Sequence, residues 1–173
     1  MRTAVRIVLF SLLLTAVWAC AEKEELPLVP ADYSGWSRVN RVDLDYPIPG
    51  HMDRYRVIYI NEAGKNYTVM NRGERKYFEY PEGTIIVKEI YSTMAPVEGE
   101  KPVSLTVMVK KQDHPAAREG WVWIVKDFQT GKENILSQEF CITCHSNANE
   151  FHPYGDGNPK EDFRDFVFFP YEQ

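Results

Sequence analysis

The feature that most restricts this chain is Cys141-Ile-Thr-Cys144-His145, which comes late, after four segments typical of β-strands. Two thiols at this spacing lie on one turn of a helix, and the adjacent imidazole is a metal ligand. The pattern is typical of covalent haem attachment, with Cys141 and Cys144 in thioether bonds and His145 on the iron. The sequence therefore predicts one covalent haem c.

Three other interpretations of the motif stay open: a redox dithiol, half of a zinc site, and a structural pair of cysteines. A thioredoxin-like dithiol has no use for the adjacent histidine. A zinc site needs further ligands, and His51, His114 and His152 do not stand at a zinc-finger spacing. Covalent haem is the interpretation that employs both cysteines and His145.

Residues 1–19 have the form of a signal peptide. Two arginines precede an apolar run over residues 7–17, which is too short for a membrane span. The run ends in Val-Trp-Ala-Cys20, which resembles a bacterial lipoprotein box, and lipidation would account for an odd third cysteine. We expect an exported bacterial protein on the periplasmic side, anchored in a membrane through Cys20. Ordinary signal-peptide cleavage, leaving a free soluble protein, is the alternative.

The rest of the chain divides into a tether and one domain. Residues 20–30 are charged and then punctuated by proline, which predicts a short extended tether. Residues 31–173 are enough for a single domain with its own core. The net charge is −5 and no basic patch with interleaved aromatic residues is present, so nucleic acid is excluded as a class of partner.

The fold class predicted is α+β, mainly antiparallel β-sheet with a few helices. β-Branched and aromatic residues predict strands over residues 55–60, 84–91, 104–110 and 120–127. Their near-sequential order favours antiparallel pairing. Residues 66–71 are either a further strand, in a hairpin with the first, or the start of an irregular connection.

The character of the chain changes after Gly131. Residues 134–147 mix polar and apolar side chains in a way that predicts a helix, and the cysteine motif lies in it. We therefore expect a haem-bearing helix near the C-terminus. The aromatic segment 165–169 is predicted to pack on the sheet or on the haem edge.

Several segments together resemble a known family. They are Tyr-Ser-Gly-Trp at 33–36, Arg-Val-Ile-Tyr-Ile-Asn at 56–61, Pro-Glu-Gly-Thr-Ile-Ile-Val-Lys-Glu at 81–89, Leu-Thr-Val-Met-Val-Lys at 105–110, Gly-Trp-Val-Trp at 120–123, the cysteine motif at 141–145, and Asp-Phe-Val-Phe at 165–168. In this order they resemble the cytochrome P-460 family, which includes the β-type cytochromes c-prime.

The resemblance implies a mostly antiparallel β fold, usually a homodimer. It implies one c-type haem with His145 as the proximal ligand and an open distal side. Some members oxidise hydroxylamine and have a lysine bonded to the porphyrin, whereas others lack this bond and bind nitric oxide. Lys88 is the first candidate for such a lysine because it lies in the matching strand; an ordinary lysine on the sheet surface is the alternative. Lys65 and Lys76 are further candidates.

The distal side of a haem decides between ligand binding and turnover. A carboxylate there could accept protons from hydroxylamine. The candidate carboxylates are Glu89, Glu98 and Glu100, and the candidate wall residues are Phe78, Tyr80 and Leu136. Alternation along a strand places Glu89 on the face opposite to Lys88.

A sixth protein ligand would change the function. The candidates by chemistry are Met52, Met70, Met94, Met108, His51, His114 and His152. Two function classes follow. The first is an exported monohaem c-type cytochrome with a five-coordinate haem, resembling hydroxylamine-oxidising or nitric-oxide-binding cytochromes. The second is a six-coordinate electron-transfer cytochrome c. The sequence does not identify the redox partner protein.

Overall fold

The structure, a computed structural model, describes residues 28–41, 43–44, 46, 48, 54–137 and 139–172. The predicted signal peptide, Cys20, most of the predicted tether, His51 and Met52 lie outside these residues. Packing of the described chain begins at the end of the predicted tether, where Val29 is buried.

Six of the eight strands in this part of the chain form one antiparallel sheet, and the other two form a separate hairpin. The strands are β1 (Ser37–Arg38), β2 (Arg56–Ile60), β3 (Thr68–Arg72), β4 (Arg75–Glu79), β5 (Ile85–Ile90), β6 (Ser104–Lys110), β7 (Trp121–Asp127) and β8 (Glu133–Leu136). The order in the large sheet is β1-β2-β5-β6-β7-β8. The helices are α1 (Glu62–Lys65) and α2 (Glu139–Ser146), with 3₁₀ turns at Tyr33–Gly35 and Asn147–Asn149.

The large sheet has a core on each face because its central strands are apolar on both sides. On β5 the side chain of Ile86 joins one core and that of Val87 joins the other. The first core contains Trp121 and Trp123, and the second is built largely of valines and is closed by Tyr33. A fold that is mainly antiparallel sheet with few helices is therefore confirmed.

The hairpin β3–β4 pairs only with itself among the described strands, with Met70 opposite Tyr77. The expected strand at 66–71 is thus present, but its partner is β4 rather than the strand before it. The C-terminal segment fastens the hairpin: Tyr77 stacks on Phe163, and the Phe78 amide donates to the Phe163 carbonyl at 2.8 Å.

The helix predicted over residues 134–147 is wrong in its first part. Residues up to Leu136 belong to β8, where Ile135 pairs with Ile124 of β7. Pairing with an existing strand edge outweighs local helix propensity here. The helix that does form, α2, begins at Glu139 and ends at Ser146.

Two short helical elements complete the described fold. The N-terminus of α1 is capped by Asn61 through a 3.0 Å bond from the Gly64 amide to the side-chain oxygen. Residues Tyr33–Gly35 form a single 3₁₀ turn without a side-chain cap from Asp32. Within the part of the chain that the structure describes, no helix is long and apolar enough to cross a membrane.

Candidate cofactor site

A cavity of about 300 Å³ opens between the large sheet and α2. Its floor is formed by side chains from β2, β5, β6 and β7, and most of its lining is aliphatic or aromatic. Cys141, Cys144 and His145 all face it, and Phe168 and Phe169 close it from the C-terminal segment. The volume falls within the usual range of small-molecule sites, and the apolar lining is typical of them.

Helix α2 brings the two thiols to the cavity together. Cys141 and Cys144 are both free and both partly exposed. Burial raises the pKa of the Cys144 thiol. Neither cysteine is fully buried, so the pair is not a buried structural pair.

The His145 ring is held in one orientation. Its Nδ1 lies 2.9 Å from the Phe166 carbonyl oxygen, so Nδ1–H donates and Nε2 is left with its lone pair. Trp123 and Phe168 pack against the ring edge to face, at 4.8 and 5.3 Å between centroids. Burial, and then the positive charge of Lys88, lower the pKa of His145 to about 3. The imidazole is therefore neutral, which is the form that binds a metal.

The carbonyl that holds His145 belongs to an unusual turn. Asp165 and Phe166 have φ of 50° and 68°, in the left-handed region that non-glycine residues rarely adopt. Such a conformation costs on the order of 1–3 kcal/mol per residue and persists only where the surroundings enforce it. Both residues are buried.

One part of the cavity is polar. Lys88 on β5 is the cross-strand partner of Thr106 on β6, and both line the cavity together with Arg56. Arg56 is buried and donates to the Tyr46 carbonyl at 2.6 Å. Burial, followed by the charge of Arg56, lowers the pKa of Lys88 to about 8. The buried Thr106 hydroxyl has no hydrogen-bond partner among the described residues.

Sequence reasoning missed Arg56 and Thr106 as residues of this site. A signal for Arg56 was present, because an arginine beside the run Val-Ile-Tyr-Ile stands in a strand that is otherwise apolar. No comparable signal marks Thr106, since a threonine in a strand is ordinary.

Only some of the proposed cavity residues line the cavity. Lys88, Leu136 and Met108 do. Phe78 and Tyr80 belong to the neighbouring core instead and do not reach the cavity lining. Their positions are explained by Tyr67, which packs against both rings.

The three candidate carboxylates lie elsewhere. Glu89 is on the opposite face of the sheet from Lys88, as alternation predicts, and accepts hydrogen bonds from Tyr33 and Tyr91 at 2.9 Å each. Glu98 is exposed, and Glu100 binds the Ser92 hydroxyl at 2.8 Å in the loop that follows β5. None of the three carboxylates lines the cavity, and for Glu89 this confirms the position predicted from alternation along β5.

The remaining lysine, methionine and histidine candidates are also outside the cavity lining. Lys65 pairs with Glu62 at 2.5 Å, and Lys76 and Met70 are exposed on or beside the hairpin. Met94 lies in the loop after β5, His114 in the loop before β7, and His152 in the loop after α2. Of the candidates for a sixth ligand among the described residues, Met108 alone lines the cavity.

The residues of this cavity fit a haem. It offers two free thiols and one imidazole with a free Nε2, in an apolar surrounding. Among the described residues, no group of three or more His, Cys, Asp or Glu side chains is arranged to hold a bare metal ion. Two free thiols beside an imidazole with a free Nε2 suit an iron that is held within a macrocycle.

Fold and cavity together define the class as a haem-binding protein built on an antiparallel sheet. The family model of Cytochrome P460 matches residues 30–169, which is most of the chain. The chain belongs to the cytochrome P460 family, and it is accordingly a haem cytochrome. A search of curated proteins found no match. The resemblance noted from the sequence motifs is confirmed.

Proposed function

We propose that this chain is an exported monohaem c-type cytochrome whose iron keeps one position open for a small ligand. Nitric oxide is the ligand class that the site favours. The observation that carries this proposal is the convergence of Cys141, Cys144 and an oriented His145 on one apolar cavity.

Each thiol would add across one vinyl group of the haem. The sulfur bonds to one vinyl carbon, the thiol proton goes to the other, and no oxidant is consumed. Cys141 and Cys144 are free thiols, as this addition requires. His145 would then hold the iron through Nε2, since its Nδ1 faces the Phe166 carbonyl.

The lining supports a neutral ligand over a charged one. A bound haem supplies an iron that takes small ligands and changes oxidation state by one electron. The aliphatic and aromatic residues around it, such as Ile58 and Ile86, exclude water and favour an uncharged diatomic molecule. Thr106 offers a hydroxyl that can donate to a bound ligand.

Hydroxylamine oxidation is the second activity supported by the site, and it depends on Lys88. This lysine faces the cavity with the motif residues, as required of a lysine that is bonded to the porphyrin. The bond replaces one N–H and one C–H by N–C, and a two-electron oxidant such as a peroxide must take up the hydrogens and electrons. Oxidation of one hydroxylamine to nitroxyl would in turn release two protons and two electrons, and two equivalents of a one-electron redox partner would accept the electrons.

An electron-transfer cytochrome is the alternative function. Met108 lines the cavity, and a methionine sulfur can close the sixth position of a haem iron. Carbon monoxide binding distinguishes the ligand-binding cytochrome from the electron-transfer cytochrome, because carbon monoxide binds readily to an open ferrous haem. A Met108→Leu variant is the matched control: it would create carbon monoxide binding only if Met108 is a ligand.

The test is the intact mass of the holoprotein with a haem-peptide map and a ferrous spectrum with carbon monoxide. We expect one haem on the peptide that contains Cys141 and Cys144, and rapid carbon monoxide binding. A second haem-linked peptide through Lys88, with a strongly red-shifted Soret band, would make hydroxylamine oxidation the leading activity. No covalent haem from a host that matures c-type cytochromes would overturn the proposal.

We also propose a periplasmic-side location, a lipid anchor at Cys20 and a homodimer. The N-terminal sequence motif and the family resemblance support these points. Cys20→Ala should move the protein from the membrane fraction to the soluble periplasmic fraction, and light scattering of the released protein gives the oligomeric state. A wild-type protein that is already soluble would exclude the anchor.

A further inference from the structure

The orientation of His145 depends on a turn that the rest of the protein clamps from two sides. Residues 164–167 form a tight turn closed by a 3.0 Å bond from the Val167 amide to the Arg164 carbonyl. Its two central residues, Asp165 and Phe166, both have positive φ. Without a glycine in the turn, other contacts must hold this backbone in place.

The first clamp is the carboxylate of Asp165, which is 5% exposed. Lys110 donates to both of its oxygens, at 3.0 and 2.8 Å, and Trp121 Nε1 donates to one of them at 3.3 Å. The Lys110 ammonium also lies 4.9 Å from the centre of a Trp121 ring. Because Lys110 and Trp121 stand on neighbouring strands, the sheet itself fixes the turn.

The second clamp comes from the side of α2. The Asn149 side-chain oxygen accepts from the backbone amides of Arg164 and Phe166, at 2.8 and 3.3 Å. Asn149 stands four residues after His145 in the 3₁₀ turn that continues the helix. The helical segment that carries His145 therefore also holds, through Asn149, the turn that contains the Phe166 carbonyl.

We propose that Asp165 is a positioning residue for the axial ligand: through its ion pair with Lys110 it sets the turn that directs the Phe166 carbonyl at Nδ1 of His145. This inference rests on the proposed haem ligation by His145. A hydrogen bond from Nδ1–H to a carbonyl fixes the ring and makes Nε2 a stronger electron donor. Stronger donation favours ferric over ferrous iron, so the clamp lowers the reduction potential.

The test compares Asp165→Asn with Asp127→Asn in the full-length holoprotein. Asp127 is the matched control, because it is an exposed carboxylate at the end of β7 that accepts hydrogen bonds from Thr130, outside the turn. Resonance Raman of the ferrous protein gives the iron–histidine stretching band, and spectroelectrochemistry gives the potential. We expect Asp165→Asn to shift the band to lower frequency and raise the potential, and Asp127→Asn to leave both unchanged.

Asn149→Ala provides a second variant in case Asp165→Asn does not fold. It removes the other clamp and should shift both readouts in the same directions. Folded variants with the wild-type band and potential would overturn the positioning role. Intact mass distinguishes failure of the positioning role from failure of the proposed function. If the proposed function is wrong, the wild-type protein carries no covalent haem. The positioning role of Asp165 can then still be tested in the apoprotein. If Asp165 fixes the His145 ring, the ¹⁵N NMR signal of His145 Nδ1–H must change in the Asp165→Asn variant.

Discussion

The imidazole of His145 meets the indole of Trp123 edge to face, with 4.8 Å between the ring centroids and 65° between the planes. Trp123 is a buried residue of β7, so a side chain of the sheet sets the distance between sheet and α2 at this point. A change at Trp123 therefore acts on both the core and the imidazole.

Trp123→Ala should lower the free energy of unfolding of the holoprotein by about 3–5 kcal/mol, as is usual for removal of a buried aromatic side chain. Urea denaturation followed by far-UV circular dichroism measures it. Trp36→Ala is the control, because Trp36 is only half-buried at the edge of the second core. An equal loss in the two variants would contradict the larger contribution expected from the buried Trp123.

Lys88→Met should lower the reduction potential of the holoprotein. The substitution removes a positive charge from the cavity that contains His145, and loss of that charge favours ferric iron by on the order of 1 kcal/mol. Spectroelectrochemistry measures the change. Lys76→Met, which removes a charge from the exposed hairpin, should leave the potential near the wild-type value. If the two variants behave alike, Lys88 does not act on the iron.

The buried pair of Lys110 and Asp165 should show strong coupling in a double-mutant cycle. Lys110→Met leaves a buried carboxylate without its cation, which should cost about 3–5 kcal/mol of unfolding free energy. Adding Asp165→Asn removes the stranded charge, so the double variant should recover much of that loss. Strictly additive effects in urea denaturation would mean that the two groups do not interact.

Asp156 predicts an acid-dependent contribution to stability. Hydrogen bonds from Arg164 lower the pKa of Asp156, and the Asn158 amide and the charge of His152 act in the same direction. A lowered folded-state pKa gives stability that is present above the unfolded pKa of about 3.9 and is lost as the pH falls through the folded value.

Asp156→Asn should therefore cost stability at pH 6 and cost progressively less below pH 4. The side chain of Asp156 is 61% exposed, so the difference at pH 6 should be no more than about 1 kcal/mol. Urea midpoints across this pH range measure it. A difference that grows on acidification would contradict the assignment.

Much of the sheet could be predicted from the sequence because its central strands carry a local signal. The runs around Ile58, Val87, Val107 and Val122 are rich in β-branched residues, and all four lie in predicted strands. The edge strand β8 could not be predicted in this way. Its sequence Glu-Asn-Ile-Leu is ambiguous, and pairing with β7 decides its conformation.

The residues of the candidate site likewise divide into those with a local sequence signal and those without one. Cys141, Cys144 and His145 were recognisable because their chemistry is encoded in adjacent positions, and Lys88 because it stands in a recognisable strand. Thr106 and Trp123 come to the cavity from separate strands and carry no local signal, so the fold is needed to reveal them. Glu89 shows the converse: alternation placed it correctly on the far face, although its residue type suggested a role in catalysis.

The chain order of the cavity walls has a consequence for biogenesis. Strands β2, β5, β6 and β7 all precede α2, whereas Phe168 and Phe169 follow it. As the chain emerges N-terminus first, the sheet can form before the segment that follows α2, which completes the described cavity lining, is in place. The cavity is therefore incomplete until that segment docks. Docking of the C-terminal segment would then enclose the haem and, at the same time, bring the Phe166 carbonyl to His145.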